Sequence, residues 1–214
     1  MAYNREDVKG MQRKAGRFFR WVSKSIDLSG EPQPPMRYVC GVDVSYRGSE
    51  AFGSSVVYDL PLGKVVESVC VRTRVHFPYV PTLLFLREAV PMIKALSRVL
   101  HPKHLIVVDA NGILHPFRSG LACYIGLYFD KPTIGIAKKL LCGEIRTRGG
   151  VETIFLDGDP VGFTFTPKRD GKKLFVSPAH KISLESTLKL CGEVLDGIPL
   201  PTRLAHEVAR RCVG

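Results

Sequence analysis

The apolar period of this chain changes once, and the change restricts the folds open to it. Three runs first alternate like strands: Arg37–Arg47, Phe52–Leu60 and Lys64–Val75. Pro61 and Gly63 in DLPLGK supply turn residues between the second run and the third, a connection short enough to imply antiparallel neighbours. After HFPYVP the spacing becomes helical through Leu83, Leu84, Leu86, Val90, Ile93, Leu96 and Leu100, with a kink expected near Pro91. Short apolar strands, Leu105–Asp109 and Thr133–Ala137, then flank a helix over Ser119–Phe129. Strands this apolar are covered on both faces. Val151–Leu156, Val161–Thr166 and Lys173–Val176 read as further strands, with a hairpin signal at Asp170-Gly171. Helices over Leu184–Leu195 and Thr202–Cys212 close the chain, the second with Thr202 as N-cap. Antiparallel strands followed by alternating helix and strand predict an α/β fold. Its mixed sheet has the order 3-2-1-4-5, with helices on both faces.

A basic helix precedes this pattern over about residues 7–26. Val8, Met11, Ala15, Phe18, Phe19, Val22 and Ile26 form its apolar side. Lys9, Arg13, Lys14, Arg17, Arg20 and Lys24 fill much of the rest, as a phosphate-binding face or as the solvated outside of a docked helix. SGEPQPP then connects into the main fold. The 214 residues are 45% hydrophobic, enough for one sizeable core, so residues 1–214 are expected to form one domain. The net charge of +11 favours a polyanion, usually nucleic acid, over a merely basic cytosolic protein. No apolar run approaches the ~20 residues of a membrane span. Six cysteines without a CxxC pair give little support to a zinc site. With no secretory signal in view, the expectation is a cytoplasmic protein with reduced thiols, disulfides being the exception reserved for hyperthermophile proteins.

Against the basic background, three acidic residues stand inside apolar runs: Asp43 in YVCGVDVSY, Glu88 in TLLFLREAV and Asp109 in HLIVVDANG. A carboxylate in such a run is expensive unless a cation or a donor meets it. In a sheet ordered 3-2-1-4-5, the strands of Asp43 and Asp109 are neighbours, so the two can share a divalent metal beside a phosphodiester. Residue chemistry alone therefore points to a basic, metal-dependent nuclease.

Six pieces in order then carry a more specific resemblance: VCGVDVSY, FPYVP with FLRE, VVDANGILHP, PTIGIAKKLL, FVSPAHKISLES and PLPTRLAH. From about Tyr38 to Arg210 the chain resembles endonuclease V, the inosine-directed nuclease of the RNase H-like group. The resemblance implies that Asp43 and Asp109 bind catalytic Mg²⁺, for which Mn²⁺ would substitute, and that Glu88 completes the cluster directly or through water. It implies Lys138 at the scissile phosphate, His206 as a second-metal ligand or acid–base group, and Pro78, Tyr79, Val80 and Pro81 as a wedge entering the duplex. Thr82, Leu84, Ala110, Asn111, Gly112, His115, Gly120, Leu121 and Gly126 would form the base pocket. Arg118 and the tip residues Lys168, Arg169, Lys172 and Lys173 are phosphate contacts or a solvated loop. The implied activity is base flipping and hydrolysis of the second phosphodiester 3′ to inosine in DNA, leaving a 3′-hydroxyl, by a monomer without membrane attachment. Two alternatives remain: a related nuclease acting on inosine-containing RNA or on branched or mismatched nucleic acid, and a catalytically silent nucleic-acid-binding module. The sequence departs from the family at Thr82, where glycine is usual, and at Asp109-Ala110-Asn111-Gly112, where Asp-Gly-(Gln/His)-Gly is usual. Each departure adds at least a methyl group near the expected pocket.

Overall fold

The computed structural model describes residues 5–31, 35–80, 82–169 and 171–214, so Pro81 of the expected wedge and Asp170 of the expected hairpin tip lie outside the described residues. Helix α1 (Arg5–Ser25) leads into β1 (Tyr38–Arg47), β2 (Glu50–Asp59) and β3 (Lys64–Arg74). There follow α2 (Phe85–Ser97), β4 (Leu105–Val108), α3 (Leu121–Phe129) and β5 (Thr133–Ala137). Strands β6 (Glu144–Arg148), β7 (Val151–Leu156), β8 (Asp159–Phe165) and β9 (Leu174–His180) precede α4 (Leu184–Leu190), a π-helical turn (Cys191–Leu195) and α5 (Pro201–Val213). One sheet holds them in the order β3-β2-β1-β4-β5-β9-β8-β7-β6. The expected 3-2-1-4-5 arrangement is its first half, with β1, β4 and β5 parallel and the other pairings antiparallel.

Three local readings are corrected. Strand β6 has the sequence EIRTR, too short and polar to stand out, and it is a sheet edge. Strand β9 runs on past Val176 through Pro178, which sits beyond the β8 pairing and beside a register shift against β5, and whose carbonyl accepts from Ile113 N. Thr202 is not the cap of α5: Leu200 is, Pro201 opens the first turn, and Thr202 is buried.

Alternation along the central strands divides the core. Cys40, Val42, Val44, Ile106 and Val108 face α2 with Met92 and Leu96. Val39, Leu105, Val107, Ile134 and Ile136 face the other way, against Ile182, Leu190 and Leu195. Two glycines set how closely helices approach: a Cβ on Gly41 would run into the Pro201 carbonyl of α5, and one on Gly53 into the Pro91 carbonyl of α2. Among the described residues no helix is long and apolar enough to cross a membrane.

Cys70 of β3 and Cys212 of α5 form a disulfide across a sequence separation of 142, so the expectation of six reduced thiols is corrected. Cys40, Cys123, Cys142 and Cys191 are free. Closing so long a loop restricts the unfolded chain, and reduction is expected to cost about 2–4 kcal/mol. The melting temperature should then fall by roughly 5–15 °C with reductant and by a similar amount in Cys70→Ser. Equal melting curves with and without reductant would contradict this.

Candidate functional site

Asp43 and Asp109 meet because β1 and β4 run parallel in register. Val42 lies beside Val108, and Asp109 N donates to Val42 O at 3.1 Å. By alternation both carboxylates emerge on the side of Val39, Leu105 and Val107, at the carboxyl ends of their strands. Asp43 is 5% exposed, and burial first, then the charge of Asp109, pushes its pKa to about 6. His206 arrives on α5, with Nδ1 2.7 Å from Asp43 Oδ2. A carboxylate accepts, so the proton sits on Nδ1 and leaves Nε2 as the second functional nitrogen. Lys138 follows β5 and donates from Nζ to Asp109 Oδ2 at 2.7 Å. Burial opposes the Lys138 charge, but Asp109, with Asp43 and Glu88 behind it, holds its pKa above the ordinary value.

Glu88 comes from α2 on the opposite face and accepts from Tyr46 Oη at 2.9 Å. Burial raises its pKa to about 7, opposed by the Tyr46 hydroxyl and reinforced by Asp43 and Asp109. Tyr46, which the motifs did not single out, is itself covered by Arg87, whose guanidinium lies 4.1 Å from the ring centroid. Among the described residues, no three His, Cys, Asp or Glu side chains close into a complete metal cage. The set still fits a hard cation. Mg²⁺ keeps several waters and needs only one or two protein carboxylates, and the two in-register aspartates repel one another without a cation between them.

Beside the cluster lies a small cleft of about 60 Å³. Ala110, directly after Asp109, is in its wall, together with Tyr79, Thr82, Leu84, Asn111, His115, Gly120 and Leu121. Phe85, Ser119 and Leu141 also line it, and sequence reasoning missed all three. Asn111 Oδ1 and Ser119 Oγ are buried without a hydrogen-bond partner, and Ser119 is only 4% exposed. An orphaned buried polar atom costs about 1–3 kcal/mol, so two in one cleft indicate a site made to receive polar groups. The loop's own N–H groups are largely committed: Gly112 N donates to Ser177 Oγ, Ile113 N to Pro178 O and Gly120 N to Gly112 O.

Two expected pocket glycines lie elsewhere. A Cβ on Gly112 would meet the Pro178 carbonyl, and Gly126 lets α3 pack against His180 and Thr133. Glycine here answers crowding behind the cleft, by main chain at Gly112 and by side chains at Gly126. Arg118 is tied to Asp159 at 2.9 Å and Leu156 O at 3.0 Å. At the tip, Lys168 pairs with Asp196 and Lys173 with Glu152. Tyr79 stands out with 68% exposure, while Val80 beneath it is buried. Thr82 has φ of +70°, a region a β-branched residue seldom enters, which explains glycine as the usual occupant. Two bonds hold it there: Gln12 Nε2 donates to Thr82 Oγ1 at 2.7 Å, and His115 Nε2 donates to Thr82 O at 3.1 Å.

His115 Nδ1 accepts from Phe117 N at 3.3 Å, so both ring nitrogens serve the neutral form. Burial lowers its pKa from 6.5 to about 4. The folded state therefore binds this proton less readily than the unfolded chain. Its contribution is complete above pH 6.5 and is lost as pH falls toward about 4, on the order of 3 kcal/mol in total. His115→Gln should lose less stability than the parent between pH 7 and pH 4.5 in urea unfolding; equal losses would refute the assignment.

A family model described as Endonuclease V matches residues 20–207. The Endonuclease V of Thermofilum pendens is 42% identical over 175 residues, 80% of this chain and 75% of that protein. Among solved structures, Endonuclease V of Streptomyces avermitilis is 30% identical with a TM-score of 0.78, covering 99% of this chain and 94% of its own. The fold is shared with Ciona intestinalis Endonuclease V, 24% identical with a TM-score of 0.81 over 95% of this chain and 98% of that one; that protein was solved with a 24mer DNA containing an inosine followed by a ribo-adenosine. The nine-stranded sheet, the extent of the family match and the identity to the Thermofilum protein agree: the chain belongs to the endonuclease V family.

Proposed function

We propose that this protein is a Mg²⁺-dependent endonuclease that receives the base of a deaminated nucleotide, inosine, in the cleft. It would hydrolyse the second phosphodiester on the 3′ side and leave a 3′-hydroxyl. The observation that carries the reading is the junction of Asp109 and Ala110: consecutive residues place an acidic cluster against a cleft with two unpaired polar atoms. Hypoxanthine offers a ring N–H and a 6-carbonyl, where adenine offers a ring acceptor and an amino group. Asn111 Oδ1 can accept the ring N–H and Ser119 Oγ can donate to the 6-carbonyl, so the two orphaned atoms can satisfy hypoxanthine. The inosine-containing DNA bound by the Ciona relative supports the same substrate class.

Asp43 and Asp109 would hold the metal, with Glu88 completing the charge. When bound, Mg²⁺ supplies an acidified water and charge neutralisation at the leaving oxygen. Lys138 Nζ, now on Asp109, would turn its remaining donors to the phosphate where charge develops. His206, oriented through Nδ1 by Asp43, would hold or pass a proton at Nε2. The exposed Tyr79 would fill the gap left by the extruded base, with Pro78 limiting the freedom of its loop.

The test is a duplex with a single inosine, incubated with Mg²⁺ or with EDTA, beside matched RNA and a DNA strand carrying one ribonucleotide after the inosine. The expected result is a Mg²⁺-dependent nick at the second 3′ phosphodiester of the DNA. Cleavage of the RNA alone would move the substrate to RNA. Binding without any nick would leave a nuclease for branched or mismatched nucleic acid and the silent binding module.

A further inference from the structure

The family match begins at residue 20, so most of α1 precedes it. Yet α1 is joined to the candidate site. Its Phe19 packs with Val80 and Leu83 in a cluster that also takes in Val8, Met11, Ala15 and Phe77. The Phe19 ring stacks on Phe117 at 4.7 Å, and Gln12 bonds Thr82 in the cleft wall. The apolar side of α1 thus holds the segment that carries Tyr79.

The opposite side carries Lys9, Arg13, Arg17, Arg20 and Lys24, all exposed. At 100° and 1.5 Å per residue they fall within about 80° of arc along about 22 Å of helix. Trp21, the sole tryptophan and 53% exposed, flanks them. A merely solvated helix face usually interleaves acids with its bases at three- and four-residue spacing. Here Lys9/Arg13, Arg13/Arg17, Arg17/Arg20 and Arg20/Lys24 are like-charged neighbours, and none of the five is in a salt bridge among the described residues. Past Glu6, which lies in the same arc at its amino end, the stripe repels itself until a polyanion meets it. Duplex DNA, with a phosphate every ~3.4 Å along each strand, has the required charge density.

We propose that the outer face of α1 binds the sugar-phosphate backbone of the DNA duplex beside the wedge. The inference rests on the reading that Tyr79 and the cleft engage DNA. It adds a second contact surface outside most of the family-matched region. Lys9 and Arg20 lie along the edge of α1 nearest Gln12 and Phe19, so the stripe borders the cleft side of the helix. The arm of the duplex on that side would cross α1, where five flexible cations displace counterions without reading sequence.

The test compares the parent with Arg13→Gln/Arg17→Gln/Arg20→Gln. A control, Lys64→Gln/Lys131→Gln/Lys189→Gln, removes three charges away from α1. Binding of labelled, undamaged duplex is measured by anisotropy in EDTA from about 50 to 200 mM salt. The α1 variant should bind at least ~10-fold more weakly, with the slope of log Kd against log salt reduced by about 2–3. The control should stay within about twofold of the parent. Arg→Lys at the same three positions should restore the slope, separating lost charge from damaged folding. Trp21 fluorescence should shift when the parent binds. Parental affinity and slope in the glutamine variant would overturn the proposal. If inosine is nicked but the slope does not change, α1 has no such role and the proposed function stands. If the slope falls but inosine is never nicked, the α1 surface stands and the proposed function fails.

Discussion

Asp43→Asn should abolish cleavage, by ~10³-fold or more, while making the metal-free protein more stable at neutral pH. The two effects share a cause. Asp43 is buried beside Asp109, and its pKa is raised from 3.8 to about 6. The folded state therefore holds this proton more tightly than the unfolded chain. Stability falls as pH rises from about 4 through about 6, and the penalty is complete above that. Asparagine keeps the shape and carries no charge, so the variant should gain on the order of 2 kcal/mol in EDTA at pH 8 and nothing near pH 4. Loss of the His206 contact offsets part of the gain. Glu88, raised to about 7, acts in the same direction, and the acidic groups titrate together rather than additively. Mg²⁺ should remove much of the difference by stabilising the parent more than the variant. A variant that cleaves within tenfold of the parent would exclude Asp43 as a metal-binding catalytic residue.

Gly41→Ala is expected to cost about 3 kcal/mol or more and to reduce activity beyond its effect on folding. The added methyl would meet the Pro201 carbonyl, a main-chain atom at the start of α5 that cannot swing aside as a side chain does. Helix α5 must move as a body, and it carries His206 and the disulfide partner Cys212. Ser54 Oγ, which donates to Ala205 O at 2.6 Å, would lose its geometry as well. The contrasting change is Gly10→Ala in α1, where an added Cβ has nothing within 4 Å and should stabilise by up to ~1 kcal/mol through helix propensity. Thermal melting of the two variants beside the parent checks both signs. A Gly41→Ala protein that melts with the parent would show that the β1–α5 contact is looser than it stands.

The central architecture was legible because its signals are local. Short connections made the first three strands antiparallel, and apolar strands between helices made the next ones parallel, so the neighbours β1 and β4 followed. Asp43 and Asp109 stood out because carboxylates at the ends of apolar runs conflict with their surroundings. Strand β6 gave no such signal, since a polar edge strand differs little in composition from a loop. Pro178 likewise hid the second half of β9, where a bond from Ile113 across the fold makes use of its carbonyl.

The pocket was less legible, because the requirement for a small residue does not say what crowds it. Gly112 and Gly126 are small because Pro178 and His180 crowd them from behind. Ser119, Leu141 and Tyr46 come from separate elements and matter through what they meet in space. Thr82 read as an added methyl; its left-handed backbone and its bond to Gln12, 70 residues away, emerge only once α1 has docked. The sequence by itself determined the periodicities, the surplus of positive charge and the residues whose chemistry clashed with their neighbours. The strand order already paired Asp43 with Asp109; the tertiary structure alone decided what else meets them, because burial, orphaned polar atoms and raised pKa values depend on residues brought together from distant parts of the chain.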